Sequence, residues 1–162
     1  MRIAFDLDDT LLPCGRAFPT EAPTRPWVPL GEPLRGGARA RLVSLRAEGH
    51  ELWVYTSSYR HPWRVRALFA AHGVGLDGVV TQRLHDRRFG RSGLPKAPAG
   101  FGIDLLVDDS QAVAEQCVGG AQGERTNEGL SRLWDRGKGG GDVPPHALRC
   151  RPLASHPLRA AA

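Results

Sequence analysis

The sequence contains few lysines and few cysteines, and it has no long apolar run. Only two of its 22 basic residues are Lys, and the other 20 are Arg. Three cysteines (Cys14, Cys117 and Cys150) form no C-x-x-C pair, which argues against a disulfide framework and against a zinc site. No apolar stretch approaches the roughly 18 residues that a membrane span needs. Asp6 interrupts the first apolar stretch, so we expect no signal peptide and a reducing, cytoplasmic setting.

The composition is that of an ordinary globular domain, with a basic excess. With 162 residues, 41% hydrophobic and 24% charged, the chain fits one domain, which we expect over residues 1–153 with a loose tail at 154–162. The net charge is +5, and five of the 17 acids are confined to "DLDD" and "VDDS". Either a coding bias toward Arg or attraction of an anionic partner explains that excess. The six histidines are scattered, and we expect most of them on the surface or in loops.

Strand and helix patterns alternate along the first 117 residues. Strands are predicted at 2–7, 51–58, 77–82 and 103–110, with a fifth at 147–153. Helices are predicted at 37–50, from Pro62 onward and at 110–117, with one more near 128–135. Six prolines between Pro13 and Pro33 predict a stiff loop without regular structure. This alternation predicts an α/β fold with a mostly parallel sheet and right-handed crossovers.

Polar residues follow three of the predicted strands. Asp6, Asp8 and Asp9 follow the first strand, Thr56 and Ser57 the second, and Asp108 and Asp109 the fourth. In a doubly wound sheet, ligands bind outside the carboxyl ends of the strands, so these side chains should converge on one edge. Crowded carboxylates repel one another unless a cation compensates them, and oxygen ligands suit a hard divalent cation such as Mg²⁺. A metal site that acts on a phosphate ligand is therefore predicted at this edge.

These motifs resemble the haloacid dehalogenase-like superfamily, and chiefly its phosphatases. The resemblance covers roughly residues 1–118 and rests on "DLDDT", "VYTSS", Lys96 in "LPKAP" and "LLVDDS". It implies a single Rossmann-like domain with sheet order 5-4-1-2-3, counting the predicted strands along the chain. It also implies Mg²⁺ as the cofactor and hydrolysis of phosphomonoesters through an aspartyl-phosphate.

The resemblance also implies a role for each site residue. Asp6 would be the nucleophile, and Asp8 would be the general acid and then the base. Thr56, with Ser57 and Arg60 beside it, would bind the phosphorylated substrate. Lys96 would neutralise the phosphoryl group and restrain Asp6, with Arg91 as the substitute candidate. The metal residues would be Asp6, Asp8 (through its backbone carbonyl), Asp108 and Asp109.

Neither slot that holds a cap domain in many relatives is long enough for one here. Residues 11–36 and 73–95 are too short, so we expect an open site shaded only by the Pro-rich loop with Trp27. Capless relatives often act on macromolecules or are closed by a neighbouring subunit, so an oligomer is one alternative. Arg60 lies beside Tyr59 and Trp63 in "SSYRHPWRVR", and "QRLHDRRFGR" adds Arg87 and Arg88, so a nucleotide or nucleic-acid phosphate end is suggested as substrate. A non-catalytic metal- or phosphate-binding protein and a phosphotransferase are the alternative functions.

Overall fold

Eight strands and three helices make up the secondary structure of the computed structural model, which describes residues 1–28, 30–90, 96–110, 112–113, 123–125 and 146–150. In chain order they are β1 (Arg2–Phe5), β2 (Thr20–Glu21), β3 (Leu34–Arg35), α1 (Ala38–Ala47), β4 (Glu51–Tyr55), α2 (Pro62–Ala71), β5 (Gly78–Val80), α3 (Gln82–Phe89), β6 (Leu105–Asp108), β7 (Gly123–Arg125) and β8 (His146–Cys150). A 3₁₀ turn over Pro98–Phe101 precedes β6. No helix among the described residues is long and apolar enough to cross a membrane.

Six of the strands form one sheet in the order β5-β4-β1-β6-β8-β7. The pairs β5–β4, β4–β1 and β1–β6 are parallel, and β8 is antiparallel to both β6 and β7. The central strands are buried almost throughout, as expected for a sheet covered on both faces. The predicted α/β class with a mostly parallel sheet is therefore confirmed.

Side chains alternate between two apolar clusters on opposite faces of the sheet. One cluster joins strand residues such as Phe5 and Val107 to the buried positions of α1 and α2. The other contains Tyr55, Leu106 and Leu148, with Phe101 packed against it. The predicted inner positions of α1 and α2 are all buried, as expected for amphipathic helices: Ala38, Leu42, Leu45, Val65, Leu68 and Phe69.

Some local predictions are wrong. The Pro-rich segment is not without regular structure, because Thr20 and Glu21 pair antiparallel with Arg35 and Leu34. The third strand ends at Val80, since the chain enters the unpredicted helix α3 at Gln82. His72 and His85 are fully buried and are therefore exceptions to the expectation that most of the histidines lie on the surface or in loops.

Other predictions fall partly or wholly outside the described residues. These are the helix near 128–135, the tail at 154–162, Arg91, and most of the helix at 110–117. The predicted fifth strand is present as His146–Cys150, and the rest of its predicted range also lies outside.

A glycine in β5 illustrates how tightly the sheet edge packs. Gly78 pairs with Trp53 in β4, and a Cβ at Gly78 would lie 2.2 Å from a carbon of the Trp53 indole. Any side chain there would displace the ring, so glycine is required by contact.

Candidate active site

Three neighbouring strands end at one edge of the sheet and deliver the site residues. Asp6 follows β1 at the sheet centre, and its backbone N–H donates to the Val107 carbonyl at 2.8 Å. Thr56 follows β4 on one side, and Asp108 is the last residue of β6 on the other. All three side chains are buried. Each follows or ends a buried strand directly, so the strand determines the position of its polar residue next to the core.

A buried lysine joins two of these carboxylates. Lys96 Nζ donates to Asp6 Oδ1 at 2.5 Å and likewise to Asp108 Oδ2. Burial acts to lower the pKa of Lys96, but the charges of Asp6 and Asp108 outweigh it and raise that pKa. Burial raises the pKa of Asp6 to about 6; Asp108 adds to the rise and Lys96 opposes it. The contact with the Lys96 ammonium orients the Asp6 carboxyl group, which is placed to act as a ligand or nucleophile.

Asp8 lies at the rim of this buried pair, beside a hydroxyl and a guanidinium. Thr56 Oγ1 lies 3.5 Å from Asp8 Oδ2, and Arg60 Nη2 lies 3.5 Å from Asp8 Oδ1. Thr56 Oγ1 also accepts the backbone N–H of Ser58 at 3.0 Å, which tightens the turn after β4. Ser57 is exposed at the same turn. The structure therefore forms two groups at this edge of the sheet, Asp8 with Thr56 and Arg60, and Lys96 with Asp6 and Asp108.

Three carboxylates could hold a metal ion together. One oxygen from each of Asp6, Asp108 and Asp109 lies within 4.8 Å of the others. Thr10 holds Asp109 in place, because its hydroxyl donates to Asp109 Oδ1 at 3.2 Å and accepts the Asp109 N–H at 3.1 Å. Arg16 lies 3.2 Å from Asp109 Oδ2. The Asp8 carboxylate is not part of this group. The donors are all hard oxygens, which is the chemistry that Mg²⁺ prefers, so the residues fit the expected cation.

Asp9, the third acid of "DLDDT", contacts the following loop and not the other site residues. Asp9 Oδ1 accepts the backbone N–H groups of Cys14, Gly15 and Arg16 at 3.0, 2.6 and 2.8 Å. Asp9 has φ 62°, a left-handed conformation that Asp tolerates better than most residues. The expectation that all three acids face the site edge is therefore wrong for Asp9, which orders the loop instead.

Two buried or half-buried residues support the site and were not found from the sequence. Arg35 Nε donates to the Thr10 carbonyl at 2.7 Å and its Nη2 to the Asp9 carbonyl at 3.0 Å, which fixes the turn that carries Asp8. Glu32 pairs with Arg60 and so connects the Pro-rich loop to the site. Neither residue belongs to a strand-end motif; the only sequence signal is their position in "GEPLR" at the end of the Pro-rich segment.

A hydrogen-bonded chain lies beneath Lys96. Tyr55 Oη accepts the backbone N–H of Ala97 at 2.8 Å and lies 2.5 Å from His85 Nδ1. A hydroxyl donates one proton and accepts up to two, so the direction of the Tyr55–His85 hydrogen bond depends on which ring nitrogen of His85 carries the proton. Helix α3 thereby connects to the backbone next to Lys96.

Comparisons of the chain with protein-family models, with curated proteins and with solved structures find no match.

Proposed function

We propose that the chain is a Mg²⁺-dependent phosphomonoester hydrolase of the haloacid dehalogenase-like type, with Asp6 as its nucleophile. The observation that carries the proposal is the buried Lys96 ammonium, which donates to both Asp6 and Asp108 next to a second acid, Asp8. Such an arrangement keeps one carboxylate oriented and supplies positive charge where a phosphoryl group would arrive. The central position of β1, between β4 and β6 in the order β5-β4-β1-β6-β8-β7, also supports the proposal.

The proposed reaction divides the work between Asp6 and Asp8. An Asp6 oxygen attacks phosphorus, the bond to the leaving oxygen breaks, and Asp8 gives that oxygen its proton. Water then attacks the aspartyl-phosphate, Asp8 takes the water proton, and the bond from phosphorus to the Asp6 oxygen breaks to release phosphate. Thr56 and Lys96 would hydrogen-bond the phosphoryl oxygens during both steps.

Asp6, Asp108 and the backbone carbonyl of Asp8 would hold Mg²⁺, with Asp109 supporting them through its contact with Thr10. The bound cation would offset the charge of the carboxylates and the phosphate oxygens. The Asp8 carboxylate lies outside the metal group, beside Thr56 and Arg60, and would carry out the proton transfer from there.

The proposal is tested with phenyl phosphate as substrate, with and without Mg²⁺, in two matched variants. Asp6→Asn should abolish turnover without unfolding the protein, because the nucleophile is lost with little change in volume. Asp8→Asn should still form a phosphoenzyme from a good leaving group, such as 4-nitrophenyl phosphate, and hydrolyse it slowly, with a loss of roughly 10²–10⁴-fold. Asp104→Asn serves as the control, because Asp104 lies at the opposite end of β6.

Wild-type turnover in Asp6→Asn would overturn the assignment of the nucleophile. Metal and phosphate binding without any turnover would support a binding protein instead. Faster product formation with an added alcohol than with water alone would support a phosphotransferase.

A further inference from the structure

A cavity of about 260 Å³ lies between the Pro-rich loop and helix α2, and Arg60 connects it to the proposed catalytic acid, Asp8. Arg60 belongs both to the cavity wall and to the site, because its guanidinium reaches Asp8 Oδ1 at 3.5 Å. The lining residues are Leu30, Glu32, Arg60, Arg64, Val65 and Leu68. A phosphoryl group at Asp6 would leave its ester oxygen near Asp8, so the leaving group would extend toward this cavity.

The chemistry of the wall is divided into an apolar part and a cationic part. Leu30 supplies most of the exposed aliphatic surface, because Val65 and Leu68 of α2 are buried, with only 1% and 2% of their surface exposed. Glu32 already pairs with Arg60, so their charges largely offset each other. Arg64 is exposed, and among the described residues no carboxylate forms an ion pair with it. The cavity wall therefore includes one arginine, Arg64, that no described carboxylate compensates, and its guanidinium lies 5.6 Å from the centre of the Trp63 ring.

We propose that this cavity binds the leaving group of the substrate, and that the leaving group is compact, with an apolar face and a second anionic group that pairs with Arg64. This inference rests on the proposed function for its link to Asp8. The volume of about 260 Å³ is slightly below the range of small-molecule pockets, roughly 300–1,000 Å³, so it suits a single ring or a short chain. A guanidinium recognises a carboxylate or a phosphate, and the two sources of negative charge can be tested separately.

Leu30, at the edge of the cavity, has a strained backbone conformation. Its φ is 72°, in the left-handed region that side chains other than Gly, Asn and Asp seldom adopt, and its side chain is still 40% exposed. A leucine held in this way offers aliphatic surface to a ligand at a cost in backbone strain. A glycine at this position would relieve that strain and remove the surface.

Three aryl phosphates with one common ring test the proposal. They are phenyl phosphate, 3-carboxyphenyl phosphate and 1,3-phenylene bisphosphate, the last two of which add a carboxylate or a phosphate at the same position. We expect kcat/KM to be about tenfold higher for at least one of the two charged substrates, because a charge-assisted contact with Arg64 is added. Arg64→Gln should remove this advantage, so that kcat/KM falls about tenfold more for the favoured charged substrate than for phenyl phosphate.

Two further variants separate the cavity from general effects. Arg66→Gln removes the same charge from the same helix, but Arg66 contacts the Leu76 carbonyl and does not line the cavity, so the preference should persist. Leu30→Gly should lower kcat/KM for all three aryl phosphates severalfold while Tm stays equal or rises. A fall in Tm together with unchanged kcat/KM would contradict the assigned role of Leu30.

The binding of the leaving group alone distinguishes this inference from the proposed function. 3-Hydroxybenzoate, measured by saturation-transfer NMR, should bind the wild-type protein and lose its signal in Arg64→Gln. Such binding without any hydrolysis of phenyl phosphate would leave the anion-binding cavity intact and overturn the proposed function. Hydrolysis of phenyl phosphate without preference for either charged substrate would overturn the inference alone. A 5′-phosphorylated oligonucleotide that exceeds all three aryl phosphates in kcat/KM would overturn it in favour of a nucleic-acid substrate.

Discussion

Lys96 Nζ lies 2.5 Å from Asp6 Oδ1, although the two residues are 90 positions apart in the chain. Lys96 is one of only two lysines in a chain with 20 arginines. A compact ammonium fits between Asp6 and Asp108, where a forked guanidinium would need more space and more acceptors. This contact therefore explains both the retention of a lysine and the orientation of the proposed nucleophile.

Replacing Lys96 should destabilise the protein, because two buried carboxylates lose their counter-charge. Lys96→Met leaves Asp6 and Asp108 without a counter-charge, so we expect a loss of about 3–5 kcal/mol in the free energy of unfolding in EDTA. Turnover should be lost, and the Tm increase on adding Mg²⁺ should be larger than in the wild type, because the cation then offsets both carboxylates. Urea unfolding with and without Mg²⁺ measures this. Full stability and activity in Lys96→Arg would contradict the argument that only a compact cation fits.

Removing a carboxylate from the metal group should affect Mg²⁺ more than the fold. Asp108→Asn keeps an acceptor for the Ser110 N–H, which Asp108 Oδ1 binds at 2.8 Å, and removes one of three crowded negative charges. We expect the Tm in EDTA to be unchanged or higher and the concentration of Mg²⁺ for half-maximal activity to rise at least tenfold. Asp104→Asn, at the other end of β6, should show the wild-type requirement. A normal Mg²⁺ requirement in Asp108→Asn would locate the metal elsewhere.

The loop at residues 14–16, which Asp9 holds, should lose stability at low pH. Burial acts to raise the pKa of Asp9, but hydrogen bonds from Gly15, Arg16 and Cys14 outweigh it and lower that pKa. Because the pKa is lower in the folded state, the carboxylate contributes stability above its ordinary value of 3.8, and this contribution is lost as pH falls through the folded pKa.

Two variants of Asp9 separate its charge from its backbone conformation. Asp9→Asn keeps an acceptor and tolerates φ 62°, whereas Asp9→Ala loses both, so Ala should be the more destabilising by about 1–2 kcal/mol. The difference in Tm between the wild type and Asp9→Asn at pH 7 should shrink below pH 4. A difference that is constant with pH would show that the charge of Asp9 does not stabilise the loop.

Tyr55 is expected to act as a positioning residue for Lys96. Tyr55→Phe removes the acceptor of the Ala97 N–H, so Lys96 should be held less firmly and inhibition by inorganic phosphate should weaken severalfold. The readout is a double-mutant cycle: Tyr55→Phe should reduce phosphate affinity in the wild type and not in a Lys96→Met background. Tyr59→Phe makes the same chemical change at an exposed tyrosine and should have no effect. Equal losses in both backgrounds would indicate a purely structural role.

The sequence alone was sufficient to predict the class of fold and the strand-end acids. Asp6, Thr56 and Asp108 each stand at the end of a short apolar run. The run predicts a buried strand, and the polar residue next to it predicts where that strand ends, so a few consecutive residues are sufficient for both predictions. The helical spacing of α1 and α2 was equally visible, since their inner faces are apolar at regular intervals. Helix α3 was missed because His85 is its one buried residue, which leaves no apolar period to detect.

Tertiary structure decided which of the polar residues meet. Asp8 and Asp9 are adjacent in sequence, yet Asp8 reaches Arg60 and Asp9 holds the loop at 14–16, because the backbone turns left-handed at Asp9. The contacts of Arg35 with the Asp9 carbonyl and of Tyr55 with Ala97 join residues 26 and 42 positions apart. No local pattern encodes such contacts, because they depend on how the whole sheet aligns its carboxyl ends.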